Sequence, residues 1–139
     1  MKNWTIVSFG VPGEIAEVLA AKRLRRTHVY AQPLQHVEPS VLKDLTFSSG
    51  RWQNELCAML DFLPTWVVQA EHLIVVLPPG VDPRVDRVIA DYLGPRKGSK
   101  RGRQNFQVVR PSDEDIHQAG LIVKDRLQQH NRPQLARVG

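Results

Sequence analysis

The hydrophobic positions of this chain fall into short unbroken apolar runs that alternate with longer stretches of helical period. Thr5-Ile6-Val7-Ser8-Phe9 is a β-prone run closed by the turn sequence Gly10-Val11-Pro12-Gly13. Glu14 to Arg26 is helical in spacing. Ile15, Val18 and Leu19 share a face, and Lys22, Arg23, Arg25 and Arg26 load the last turn, where cations complement the helix dipole. Thr27 to Gln32 reads as a second strand. Glu38 to Leu45 holds a short helix. Ser48 or Ser49 caps a longer one over Gly50–Leu63, with Trp52, Leu56, Met59, Leu60 and Leu63 on one side and Pro64 beyond it. The pattern assigns no state to Thr65–His72.

The second half is clearer. Leu73-Ile74-Val75-Val76-Leu77 has no polar alternation, so both its faces are expected to be buried, as in the central strand of a parallel sheet. Pro78-Pro79-Gly80 breaks it. Asp82 as N-cap with Pro83 at the first helical position opens a helix whose stripe is Val85, Val88, Ile89, Tyr92 and Leu93, and Gly94-Pro95 ends it. Asn105 to Arg110 is a further strand. Ser112 caps a long helix with Asp113, Glu114 and Asp115 in its first turn and Ile116, Ala119, Val123 and Leu127 on its inner face. From His130 the chain is polar and contains a proline. The reading is one domain over residues 1–130 with a flexible polar tail over 131–139. The order of elements predicts an α/β fold: a single Rossmann-like domain with a mainly parallel sheet flanked by helices.

Charge adds one localised feature. The 139 residues carry 19 Lys+Arg against 14 Asp+Glu, a net charge of +5. Arg96, Lys97, Lys100, Arg101 and Arg103 fall within eight residues with no acid among them, and without them 14 bases face 14 acids. That loop is either an electrostatic surface for an anionic ligand or a solvated flap. Hydrophobic content of 42% and charged content of 24% are those of a folded globular protein. Apolar runs of about five residues fall far short of the roughly 20 needed to span a bilayer, and the N-terminus has no signal-peptide core, so the expectation is a cytoplasmic protein without a membrane partner. The single cysteine, Cys57, reads as a buried structural residue on a helix face. His28, His36, His72, His117 and His130 show no metal-ligand spacing, and no catalytic triad pattern is readable, so neither a metal nor a cofactor is expected.

In an open parallel sheet, ligands bind outside the carboxyl ends of the strands. Here those ends are Ser8-Phe9-Gly10-Val11-Pro12-Gly13, Gln32 to His36, Pro78 to Asp82, and Arg110-Pro111-Ser112. The first turn lacks both GxGxxG and the P-loop Lys-Ser/Thr. Ser8 either hydrogen-bonds a phosphate or satisfies local backbone. Gly10 lets backbone approach a ligand, or simply makes a tight turn. Pro79 and Gly80 shape a pocket wall, or only separate strand from helix. Arg110 projects into the crevice, or pairs with Asp113 or Glu114. His36 serves acid–base chemistry, or is an ordinary loop histidine.

Three of these segments resemble those of a family of small single-domain CRISPR-associated proteins related to the CARF fold, which act as ring nucleases in type III CRISPR defence. Strand one running into Ser8-Phe9-Gly10-Val11-Pro12 is similar to the family's short first strand with an Asn/Ser-Phe-x-x-Pro exit. Leu73 to Gly80 with Val81-Asp82-Pro83 resembles its apolar strand, Pro-Pro-Gly and helix start. Phe106-Gln107-Val108-Val109-Arg110-Pro111 resembles its late strand. The Arg96–Arg103 loop and the helix after Ser112 are additions to that pattern.

The resemblance implies a CARF-like homodimer with a basic pocket on its two-fold axis. Its ligand would be cyclic oligoadenylate, chiefly cyclic tetra-adenylate, opened without metal by attack of a ribose 2′-hydroxyl to leave 2′,3′-cyclic phosphate ends. On that reading Ser8, Phe9, Gly10 and Pro12 surround the nucleotide, Pro79 and Gly80 form the wall, and Lys97, Lys100, Arg101 and Arg110 meet phosphates. Gln35 and His36 position the 2′-hydroxyl. The alternative expectation is a non-enzymatic module binding RNA, DNA or a nucleotide through its basic loop.

Overall fold

The computed structural model describes residues 4–25, 33–43, 45–94 and 105–138. Four strands, β1 (Thr5–Phe9), β2 (Leu34–Val37), β3 (His72–Val76) and β4 (Asn105–Val109), form one sheet in the order β2-β1-β3-β4. Every pairing is parallel. Six helices connect and follow them: α1 (Gly13–Arg23), α2 (Ser40–Lys43), α3 (Trp52–Leu60), α4 (Thr65–Val68), α5 (Pro83–Leu93) and α6 (Asp113–Val138), with a 3₁₀ turn at Phe47–Ser49. The predicted α/β fold with a parallel sheet is the observed one.

Because successive strand residues point to opposite faces, β3 divides its side chains between two cores. Ile74 and Val76 pack with Ile6, Ala16, Leu19 and Ala119 beneath α1 and α6. Leu73, Val75 and Leu77 pack with Val7, Phe9, Leu56, Leu60, Val85 and Ile89 beneath α3 and α5. Residues Leu73 to Leu77 are wholly inaccessible, which explains their unbroken apolar run. The edge strands β2 and β4 are covered less, and most of their residues are half-buried.

Two helix starts follow the sequence expectation. Asp82 caps α5 by accepting from Arg84 N–H at 2.9 Å, with Pro83 in the first turn. Ser112 and Asp115 form a reciprocal capping box: Asp115 N–H donates to Ser112 Oγ at 3.1 Å and Ser112 N–H to Asp115 Oδ2 at 3.0 Å. α1 and α6 lie antiparallel, with Gly120 beside Ile15, and Val123 and Leu127 beside Glu14 and Glu17. α6 outruns the 11-residue α1, so Leu127, expected on its inner face, is exposed.

Other expectations need correcting. The strand that pairs with the outer edge of β1 is Leu34–Val37, which the sequence pattern does not assign; the expected Thr27–Gln32 strand lies outside the described residues. Pro33 cannot donate to a ladder but its carbonyl accepts from Ile6 N–H at 2.9 Å, so pairing begins there. Neither Ser48 nor Ser49 caps α3. Arg51 holds that position without a side-chain cap, and Ser49 Oγ donates to Thr46 O at 2.7 Å. Residues Thr65–Val68 form a helical turn behind Pro64. The backbone of α6 runs on past His130, where the sequence pattern turns to a polar tail, through Pro133 to Val138. Cys57 is half-buried. Among the described residues no helix is long and apolar enough to cross a membrane.

Candidate functional site

The strand order makes β1 the switch point. From β1 the chain leaves over one face to reach β2, and then crosses the other face to reach β3 and β4. The carboxyl ends of β1 and β3 therefore lead into connections on opposite faces, the position at which open parallel sheets place a ligand crevice.

The β1 exit is shaped mostly from within. Ser8 is fully buried and its hydroxyl donates to Val11 O at 2.5 Å, so the local-backbone reading holds for that group. Phe9 is buried in the core beneath α3 and α5. Gly10 has φ +77°, and a Cβ there would stand 2.5 Å from Pro39 Cβ. Its N–H donates to Val37 O at 2.7 Å. The close backbone approach that Gly10 permits is thus to Pro39 of the neighbouring strand exit. Pro12 is exposed, and as N-cap of α1 it supplies no side-chain acceptor, so the first-turn amides of α1 are left for solvent or a ligand.

The β3 exit carries the wall. Gly80 takes φ +79° with open space around the position of an added Cβ, and Pro79 before it suits a type II turn. Pro79 and Gly80 line a cavity of about 360 Å³ with Lys43, Phe47 and Val85. Arg84 closes one side of this region. Its guanidinium lies 4.7 Å from the Phe47 ring centre and makes a two-point contact with Asp82, at 3.0 and 2.8 Å.

Arg110, at the β4 exit, is not a free cation. Its guanidinium grips both carboxylate oxygens of Asp86, one through Nε at 2.8 Å, and also donates to the carbonyls of Val81 and Asp82. The partner is Asp86 on α5 rather than Asp113 or Glu114. The expected phosphate contact is thereby replaced by a clamp that ties β4 to the β3–α5 turn. The spacing of Asp82 and Asp86, one helical turn apart beside a strand exit, was the signal for it.

Gln35 and His36 lie on the edge strand β2, opposite Val7 and Ser8. They point to opposite faces. Gln35 shares the face of Val37, which packs with the α3–α5 core, and His36 shares that of Leu34, which packs beneath α1. Both reach the rim of a cavity of about 390 Å³ floored by Phe9, Met59 and Leu60. The exposed His36 stands on the α1 side, where Leu34 lies 3.7 Å from the position of a Cβ on Gly13. Lys97, Lys100 and Arg101 lie outside the described residues. Among the described residues no group of three His, Cys, Asp or Glu side chains is arranged to hold a metal ion.

The α5 cap also makes a pH prediction. The Arg84 guanidinium, and then the Arg84 N–H, hold the Asp82 carboxyl down from 3.8 to about 2. Asp115 is lowered too, chiefly by the Ser112 N–H. A carboxyl whose folded pKa lies below its unfolded one contributes stability in full above the unfolded value and loses it as pH falls through the folded value. Stability followed by circular dichroism is therefore expected to fall from about pH 4 toward pH 2, with a flatter profile in Asp82→Asn. Glu17, raised chiefly by burial, acts in the opposite sense, favouring the fold at low pH.

No protein-family model, curated protein or solved structure matches this chain.

Proposed function

We propose that the crevice at the carboxyl ends of β1 and β3 binds cyclic oligoadenylate and that the protein is a metal-independent ring nuclease working as a homodimer. The observation that supports this reading most is the all-parallel order β2-β1-β3-β4. It puts β1 and β3 side by side, with the exposed Pro12 and uncapped first turn of α1 following one and Pro79–Gly80 following the other. Backbone N–H groups at a helix start suit a phosphate, and the helix dipole favours its charge. A ligand with a two-fold axis suits a protein dimer with the same symmetry.

In the proposed reaction a ribose 2′-oxygen attacks the adjacent phosphorus while the P–O5′ bond breaks. The 2′-proton passes to a base, and the 5′-oxygen leaves as a hydroxyl. The product is linear with a 2′,3′-cyclic phosphate. His36 is the side chain best placed to take that proton, since it is exposed on the α1 face at the carboxyl end of β2. Gln35, on the opposite face, takes no part in that transfer. The rest of the rate comes from holding the 2′-oxygen in line and offering amides to the developing phosphorane charge.

The test is incubation of labelled cyclic tetra-adenylate with the protein in EDTA. Linear fragments ending in cyclic phosphate are the expected outcome, with cleavage slowed about a hundredfold in His36→Ala, the lower end of what a general base contributes. Absence of both binding and cleavage, with three- and six-membered rings also tried, would sink the reading.

A further inference from the structure

A cluster of cations lies at the far end of α1. An open cavity of about 500 Å³ separates the last turn of α1 from β4. Its rim carries Lys22, Arg23 and Arg25, all exposed. Among the described residues none of the three has an acid within ion-pair distance. Asp115 is the acid among the residues that line the cavity. It is turned to the Ser112 N–H and reaches Lys22 only through the longer-range field. The floor is apolar, formed by Leu19, Val109 and Pro111.

Two details show that this rim is more than a helix end decorated with bases. Arg23 Nε donates to Gln107 Oε1 at 3.0 Å, which orients the guanidinium over the cavity and leaves the Gln107 NH₂ as a donor inside it. Arg25 has φ +57°, the left-handed conformation at the residue that follows the α1 C-cap. Glycine is favoured there, and a long side chain is strained. An arginine at that position holds a guanidinium at the cavity mouth against the local backbone preference.

We infer that this cavity is a binding surface for single-stranded nucleic acid, its three cations meeting successive phosphates and its apolar floor with the Gln107 amide receiving a ribose or base. Arginine favours phosphate through its paired donors, and single strands are held by such mixtures of cations and flat apolar surface. Of the residues expected at the ring ligand, only Arg110 borders this cavity, and its guanidinium is held by Asp86.

The test is fluorescence anisotropy of the full chain with a short labelled single-stranded oligouridylate across a NaCl series. A uridylate strand is used because the ring crevice is proposed to accept adenylate. The triple variant Lys22→Gln, Arg23→Gln, Arg25→Gln is expected to weaken binding about tenfold or more at low salt. It should also flatten the slope of log K against log salt by about 2, since each phosphate contact on a single strand contributes about 0.7. Arg51→Gln, Arg87→Gln, Lys124→Gln removes the same charge from exposed positions elsewhere and should change binding less than about threefold. Arg25→Gly alone should weaken binding while raising the melting temperature by a few degrees, on the order of what 1 kcal/mol gives in a domain this size, a combination that a purely structural residue does not produce. Equal losses in the two triple variants would overturn the proposal, as would an unchanged salt slope or no binding by the native chain at low salt. Displacement by uridine monophosphate at equal phosphate would identify a mononucleotide cavity instead. Displacement by polyglutamate as effective as by RNA would reduce it to a general anion surface.

Discussion

Gly10→Ala is expected to destabilise the protein by about 2–4 kcal/mol, the largest effect of any single methyl addition at the candidate site. Two costs combine. Residue 10 has φ +77°, where an L side chain is strained by about 1–2 kcal/mol. The new Cβ would also stand 2.5 Å from Pro39 Cβ and 3.0 Å from its Cγ, so the β1 exit and the start of α2 must part. Separating them stretches the bond from Gly10 N–H to Val37 O, 2.7 Å in the native chain, and with it the end of the β1–β2 ladder. Chemical denaturation measures the loss. The cause is separable by a double mutant: Pro39→Gly removes the clashing atoms but leaves the backbone strain. It should return about 1–2 kcal/mol of the deficit, a coupling expected only of residues in contact. Additive effects would show that strain at residue 10 accounts for the whole loss. If the proposed ring nuclease reading holds, Gly10→Ala should also slow cleavage, since Gly10 lies at the β1 exit.

Arg110→Met should destabilise by about 1.5–3 kcal/mol, the range for losing charge-assisted hydrogen bonds at a half-buried site. Methionine keeps much of the apolar stem and removes only the fork. What is left behind decides the size of the effect. The Asp86 carboxylate, about one-third exposed, would be without its cation, and the Val81 and Asp82 carbonyls would lose their donor. Arg110→Lys should recover less than half of the loss, since a single ammonium cannot meet two carboxylate oxygens and two carbonyls together. A double variant with Asp86→Leu should be less destabilised than the two single changes summed, because no uncompensated charge remains. A stability change below about 0.5 kcal/mol in Arg110→Met would instead favour a guanidinium held for a ligand.

The fold could be read from the chain because its strongest signals are local. The unbroken Leu73–Leu77 run, the Asp82-Pro83 start and the Ser112 cap each depend on residues within one turn of one another, and each appears as expected. Strand β2 was harder. Leu34-Gln35-His36-Val37 is a four-residue edge strand with little apolar bias, so the pattern leaves it unassigned. An edge strand forms chiefly because β1 offers it a ladder, a non-local cause that periodicity does not record.

The site was legible as a list of strand ends but not as an arrangement. Ser8 and Arg110 stand where a ligand residue would, yet Ser8 Oγ serves Val11 O and the Arg110 guanidinium serves Asp86 and two carbonyls. Gln35 and His36, adjacent in sequence, face opposite sides of the sheet. The cavity bordered by Lys22, Arg23 and Arg25 joins the end of α1 to β4, more than eighty residues away along the chain, as the Arg23–Gln107 bond records.

By itself the sequence determined the α/β class, the buried central strand, the helix starts at Asp82 and Ser112, and the placing of Gly/Pro turns where the strands end. All of these rest on spacing and capping between near neighbours. Only the tertiary structure decided the strand order β2-β1-β3-β4, which turn opens toward solvent, and which cations are neutralised and which are left to bind. Those outcomes depend on which distant groups come within a few ångströms of one another, since a charge or hydroxyl acts on a ligand only when no nearer partner has already taken it.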